Sequence, residues 1–258
     1  MTAHLVYSAA KFGTMTAARP CYDQASRQPT APASFMMRTT SHIVFDLDGT
    51  LIDSVHDLHA AGNLLLEELG LAPIDLATAR SFIGDGGQVY VRRSLELRGQ
   101  TPDAAALSTA TERFIALYEA NASNRTIPYP DVPETLTALK DAGFRLGICT
   151  NKPERATHKV LALLGLDHLF DAIVGGDTLP VRKPDPAHPA AVLERLGATP
   201  ETACMVGDNE HDAHSAKGAG MPFILMRYGY ARTPLDEIPA AARLDHFRDL
   251  PKTIASLA

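Results

Sequence analysis

Short apolar runs alternate with segments of helical period over the second half of the chain, and that alternation sets the expected fold class. Residues 144–149, 172–174, 204–206 and 223–226 are apolar stretches of strand length, the first interrupted by Arg145. Between them, residues 133–142, 153–164, the segment after Pro186 to Leu196 and the segment ending at Lys217 read as helices. Residues 43–45 supply a first buried strand. Residues 245–247 are expected as a last edge strand, before a C-terminal helix over 250–257. Strands alternating with helices predict a parallel, doubly wound α/β sheet.

The first strand is separated from the next by a purely helical block. Leu58, Ala61, Leu64, Leu65 and Leu69 recur at helical spacing, and Gly70 reads as the stop. Helical segments are predicted over 75–82, 88–97 and 103–121, with no strand pattern among them. The expected organisation is a core of residues 41–57 and 128–258 with a helical cap, 58–127, inserted into it. Residues 1–40 hold no period and are rich in Ala, Ser, Thr and Pro, with one acid, Asp23, so disorder is expected there. The same composition fits an organelle transit segment. The paired Met36 and Met37 give a third reading, favoured over the other two, in which translation starts there and the first strand lies near the N-terminus.

Each predicted strand of the core ends in polar residues. Asp46 and Asp48 follow the first strand, and Gly49 allows a sharp turn. Thr150 and Asn151 follow the second. Lys183 precedes a helix, and Asp208 ends a later strand with Asp212 one helical turn on. In open parallel sheets ligands bind beyond the carboxyl ends of the strands. Two carboxylates as close as Asp46 and Asp48 repel, and a cation keeps both ionised. Oxygen ligands alone favour Mg²⁺ over Zn²⁺. A single Asp-x-Asp-Gly is more often a polar turn; the three further clusters, each at a strand end, decide for chemistry. Together they suit phosphoryl transfer, where catalysis is mainly positioning and charge neutralisation. The stretch Gly84-Asp85-Gly86, followed by Arg92 and Arg93, has two readings: a helix–helix turn with solvated arginines, or a loop that closes over a small anion.

Composition narrows the partners. A net charge of −6 without a clustered Lys/Arg tract argues against nucleic acid. No apolar run approaches the ~18 residues of a membrane span. Three widely spaced cysteines, Cys21, Cys149 and Cys204, argue against a disulfide framework and fit a reducing, cytoplasmic setting. The histidines lack zinc-site spacing, and His211 reads as a solvated helix-end residue.

The ordered set Asp46-Leu47-Asp48-Gly49-Thr50, Thr150, Lys183 and Asp208 resembles the four motifs of the haloacid-dehalogenase superfamily, over roughly residues 41–251. Within it the likeness is to bacterial phosphoglycolate phosphatases, carried by residues 51–54, 82–84 with 91–95, 175–178 leading into 182–186, and 206–208 through Gly220. The resemblance implies a Rossmann-like core with a mobile helical cap. It implies a Mg²⁺-dependent phosphomonoester hydrolase, monomer or homodimer, that acts on 2-phosphoglycolate. Other outcomes are a sugar-phosphate phosphatase, a pyrophosphatase, a β-phosphoglucomutase-like mutase, or a ligand-binding module on an inactive fold. Asp46 is implied as nucleophile, Asp48 as acid/base, Thr150 and Lys183 as phosphoryl contacts, and Asp46, Asp48 (through its carbonyl) and Asp208 as metal ligands. Asp212 is implied to orient metal-bound waters or cap its helix. Gly49, Thr50, Asn151, Gly84, Asp85, Gly86, Arg92 and Arg93 are the expected substrate contacts.

Overall fold

The computed structural model describes residues 40–121 and 125–257; the expectations for residues 1–39 and the position of Cys21 lie outside them. In chain order the elements are β1 (His42–Phe45), β2 (Ile52–Asp53), α1 (Val55–Glu68), α2 (Leu76–Ser81), α3 (Gly87–Glu96), α4 (Ala104–Asn121), β3 (Ile127–Pro128), α5 (Val132–Asp141) and β4 (Arg145–Cys149). Then follow α6 (Glu154–Leu163), β5 (Ala172–Val174), α7 (Ala187–Leu196), β6 (Ala203–Gly207), α8 (Glu210–Gly218), β7 (Phe223–Met226), β8 (Ala242–Leu244) and α9 (Leu250–Ser256). Six strands form one parallel sheet in the order β5-β4-β1-β6-β7-β8. Strand β1 is central: Ile43 stands opposite Leu146 on one side and Cys204 on the other. The chain winds outward from β1 first one way and then the other, so the topological switch point lies at β1 and β6.

Alternation along the strands splits the core into two layers. Ile43, Phe45, Ile148, Val206 and Ile224 face one side, packed with Leu136 and Leu139 of α5, Leu161 of α6 and Ile254 of α9. Val44, Cys149, Met205 and Leu225 face the other, under Val192 and Leu196 of α7 and Ala213 and Ala216 of α8. The runs that predicted strands are largely apolar because both faces are covered. Cys149 and Cys204 are buried free thiols.

Helices α1 to α4 build a third apolar cluster from Leu65, Leu66, Tyr90, Val91 and Phe114, which meets the core at Ala156 and Tyr230. The chain leaves for these helices and returns through an antiparallel pair, β2 with β3, in which Ile52 faces Pro128 and Asp53 faces Ile127. Two residues a side are too short for any period, so this ribbon was not expected. The edge strand also differs: β8 is Ala242–Leu244, whereas residues 247–249 form a 3₁₀ turn. Phe247 is apolar for a different reason. It is buried against Phe45, with ring centroids 5.9 Å apart. Among the described residues no helix is long and apolar enough to cross a membrane.

The contact of α7 with β4 has no spare volume. A Cβ on Gly147 would overlap Val192 Cγ1 and lie 3.1 Å from Leu196 Cδ1. Gly147→Ala is expected to destabilise by about 1–3 kcal/mol through overpacking, read as a lowered urea midpoint at unchanged m-value. An unchanged midpoint would show that α7 can shift freely on the sheet.

Candidate active site

The first motif is shaped by the end of β1. Asp46 N–H donates to Val206 O at 2.9 Å, which extends the sheet by one residue and carries the Asp46 side chain past the strand end. The backbone then doubles back: Leu51 and Ile52 N–H donate to Leu47 O, and Gly49 N–H to Ile52 O. Gly49 has φ +96°, and a Cβ there would lie 2.5 Å from Asp208 Oδ2 and 2.9 Å from the Tyr230 ring. Both the conformation and the clearance require glycine.

The fourth motif is organised by the N-terminus of α8. Asn209 accepts from His211 N–H at 2.9 Å, while Asp212 Oδ2 accepts from the N–H groups of Asp208 (3.1 Å) and Asn209 (3.2 Å). This reciprocal capping leaves Asp212 Oδ1 facing Lys183, whose Nζ donates to it at 2.7 Å and to Asp46 Oδ1 at 2.6 Å. Asp208 is held by Tyr230 N–H (2.5 Å), Thr50 Oγ1 (3.2 Å) and Asn209 Nδ2 (3.2 Å). Asp212 therefore both caps its helix and belongs to the charged cluster.

Asp46, Asp208 and Asp212 are all buried, and one oxygen from each lies within 4.8 Å of the others. Burial pushes the Asp46 carboxyl up to about 6, with repulsion from Asp212 adding to it and Lys183 opposing. Burial, then Asp46 and Asp212, raise Asp208 well above the usual carboxylate range. Burial works against the Lys183 ammonium, but Asp212 and Asp46 outweigh it and hold it protonated. Three buried carboxylates facing one ammonium leave a surplus of negative charge, and the donors are all hard oxygens. The cluster fits a divalent cation such as Mg²⁺.

One cavity runs from this cluster to helices α1, α3 and α4. Of the residues singled out in the sequence, Asp46, Asp48, Thr150, Asn151, Gly84 and Gly86 line it. Asn151 Nδ2 ties the cap loop to the core by donating to Gly84 O (2.8 Å) and Lys183 O (3.0 Å). Lys183 and Asp208 lie off the cavity and join it through the cluster around Asp46; Gly49 and Thr50 shape the turn beneath. The expected cap contacts differ. Arg92 is exposed, and Arg93 Nη1 donates to Asp85 Oδ2 at 2.6 Å. Asp85 itself is turned to Arg232 and His211 of the core, not to the cavity. Burial raises the Asp85 carboxyl, but hydrogen bonds from His211 and Arg232 outweigh it and hold it well below the carboxylate range. Asp85 thus anchors the cap loop, and His211 is a partner in that anchor, not a solvated helix end.

Sequence reasoning missed Lys152. It is buried, and its Nζ donates to both oxygens of Asp48 at 2.9 Å, while Ser54 Oγ donates to Asp48 Oδ1 at 2.5 Å. Its place next to Thr150 and Asn151 at a strand end was the available signal. His188 was also passed over. It is buried under the Lys183 loop, and its Nδ1 accepts from Lys183 N–H at 3.3 Å. Its Nε2 donates to Gly175 O at 3.0 Å, which fixes the neutral tautomer.

A model of the family described as haloacid dehalogenase-like hydrolase matches residues 43–226. A phosphoglycolate phosphatase of Cereibacter sphaeroides is 44% identical over 215 residues, covering 83% of this chain and 98% of that one. Among solved structures, a predicted phosphoglycolate phosphatase from Haemophilus somnus superposes with a TM-score of 0.79 at 31% identity, over 84% of this chain and 99% of that one. CbbY from Rhodobacter sphaeroides, in complex with phosphate, gives 0.73 at 26% identity, over 82% and 96%.

Burial pushes His188 down from its ordinary 6.5 to about 4. A depressed histidine stabilises the folded state above the unfolded pKa, and that contribution is lost as pH falls from 6.5 through 4. Relative to a His188→Gln variant, the wild type is expected to lose unfolding free energy between pH 7 and pH 4, in paired urea titrations. A difference between the two proteins that stays constant across that window would show that His188 is not held neutral.

Proposed function

The chain belongs to the haloacid dehalogenase-like hydrolase family, and on that premise we propose that it hydrolyses 2-phosphoglycolate to glycolate and phosphate through a phosphorylated Asp46. The observation that carries the reading is Asp46, aimed into the cavity from the end of β1 and held at 2.6 Å by the Lys183 ammonium. A carboxylate needs no prior deprotonation to attack phosphorus. Lys183 and the Thr150 hydroxyl meet the charge that spreads over the transferring oxygens. Asp48 stands two residues on and lines the same cavity. It protonates the leaving alcohol, and it then takes a proton from the water that hydrolyses the aspartyl-phosphate.

Asp46, the main-chain carbonyl of Asp48 and Asp208 are the groups we assign to a Mg²⁺ ion, with Asp212 orienting its waters. Bound there, the ion supplies neutralisation of the phosphoryl charge. Helices α1 to α4 act as the lid that excludes bulk water from the reacting atoms. The name of the Cereibacter relative supports phosphoglycolate, as does the small cavity with its apolar walls.

The test is phosphate release over a panel of esters. The reading expects kcat/KM for 2-phosphoglycolate to exceed that for glucose phosphates and phosphoserine by at least about tenfold, or ~1.4 kcal/mol. Asp46→Asn is expected to lower release at least about a thousandfold while the melting temperature holds or rises, because one buried charge has gone. A variant of near wild-type rate would remove Asp46 as nucleophile; a sugar phosphate at the head of the panel would remove the substrate.

A further inference from the structure

Lys152 stands at the end of β4, and its ammonium reaches into the cavity. Its side chain is 5% exposed. Besides its two bonds to Asp48, the ammonium lies 4.4 Å from the centre of the Tyr118 ring of α4. Among the described residues that line the cavity it is the one cation. The cap side of the cavity is otherwise largely apolar, with Leu58, Phe82, Ile83, Phe114 and Ile115. The arginines of α3 do not compete for this place: Arg92 is exposed, and Arg93 is engaged by Asp85. A lysine has three N–H donors, so an ammonium that serves Asp48 with two can still donate to a second anion.

We propose that Lys152 is the specificity-determining residue of this site: its ammonium binds a carboxylate on the leaving group, and the site thereby selects esters whose phosphate-bearing carbon carries that carboxylate. The inference rests on the phosphatase reading of the cavity. Reach supports the short spacing. An acid must come within about 3 Å of the ester oxygen it protonates, and Lys152 Nζ is 2.9 Å from the Asp48 oxygens. The ammonium therefore stands no more than roughly 6 Å from the ester oxygen. A carboxylate on the ester carbon places its own oxygens about 3 Å from that oxygen, and one hydrogen bond of about 3 Å closes the gap. A carboxylate set further along a chain overshoots. A hydroxyl-rich leaving group meets a largely apolar wall, where the Tyr90 and Tyr118 hydroxyls leave most of its own hydroxyls without partners.

The test compares 2-phosphoglycolate with phosphoglycolamide, which keeps the shape and removes the charge. In the wild type the acid is expected to lead in kcat/KM by at least about 30-fold, the size of a charge-assisted hydrogen bond. Lys152→Met and Lys152→Gln are expected to bring the two esters to within about threefold, whatever both lose in common through Asp48, and Lys152→Arg to restore most of the preference. Inhibition of the wild type by glycolate but not by glycolamide reads the same contact without a substitution that could disturb folding. Variants that slow both esters equally and keep the wild-type preference overturn this inference alone, since Lys152 then acts only on Asp48. A wild type that cleaves other phosphate esters but neither of these overturns the substrate reading, and this inference with it.

Discussion

Three carboxylates buried around one ammonium are the constraint on which the rest of the site depends. An isolated buried charge is costly, and like charges at this distance make it worse. Lys183 offsets part of the repulsion by reaching Asp46 and Asp212 together. The remainder shows as carboxyl groups whose protons are held too tightly: Asp46 and Asp208 are both raised by burial and by their acidic neighbours. A site in this condition favours further positive charge.

The surrounding backbone is built to bring the acids this close. Asp46 comes from β1 and Asp208 from β6, paired strands at the switch point of the sheet. Gly49, Gly207 and Gly229 each face one of the acids where a Cβ would overlap it or come as near as 2.5 Å. Asp212 is positioned by capping α8, so the same carboxylate satisfies a helix end and orients Lys183. Stability and chemistry therefore share residues here, and substitutions at these positions would change both.

Much of this arrangement could be read in the amino-acid sequence. The parallel sheet was legible because both of its faces are covered and its inner strands are largely apolar runs. Asp46, Asp48, Thr150, Lys183 and Asp208 were legible because the fold puts strand ends side by side. What failed depended on side-chain direction, on elements too short to show a period and on contacts distant in sequence. Arg92 and Arg93 sit on adjacent positions of α3, and local sequence does not say which way that helix faces. Phe247 looked like a strand residue and is a buried turn residue. The β2–β3 ribbon has two residues a side and leaves no pattern to detect. Lys152 was given no role from the sequence, because its partner Asp48 is 104 positions away.

Two-sided anchoring of the cap loop completes the picture. Asn151 holds Gly84 from the cavity side, and Arg232 and His211 hold Asp85 from outside. The loop is thus tied to the core just after β4, at the start of α8 and in the segment after β7. The central claim, that the buried surplus of negative charge is completed by a divalent cation, is tested most directly by calorimetric titration of the wild type and of Asp208→Asn with Mg²⁺ in the absence of substrate. The account predicts binding of one Mg²⁺ to the wild type with a rise in melting temperature, and binding at least about tenfold weaker, ~1.4 kcal/mol, in the variant. A wild type that binds no Mg²⁺, or a variant that binds it equally well, would contradict it.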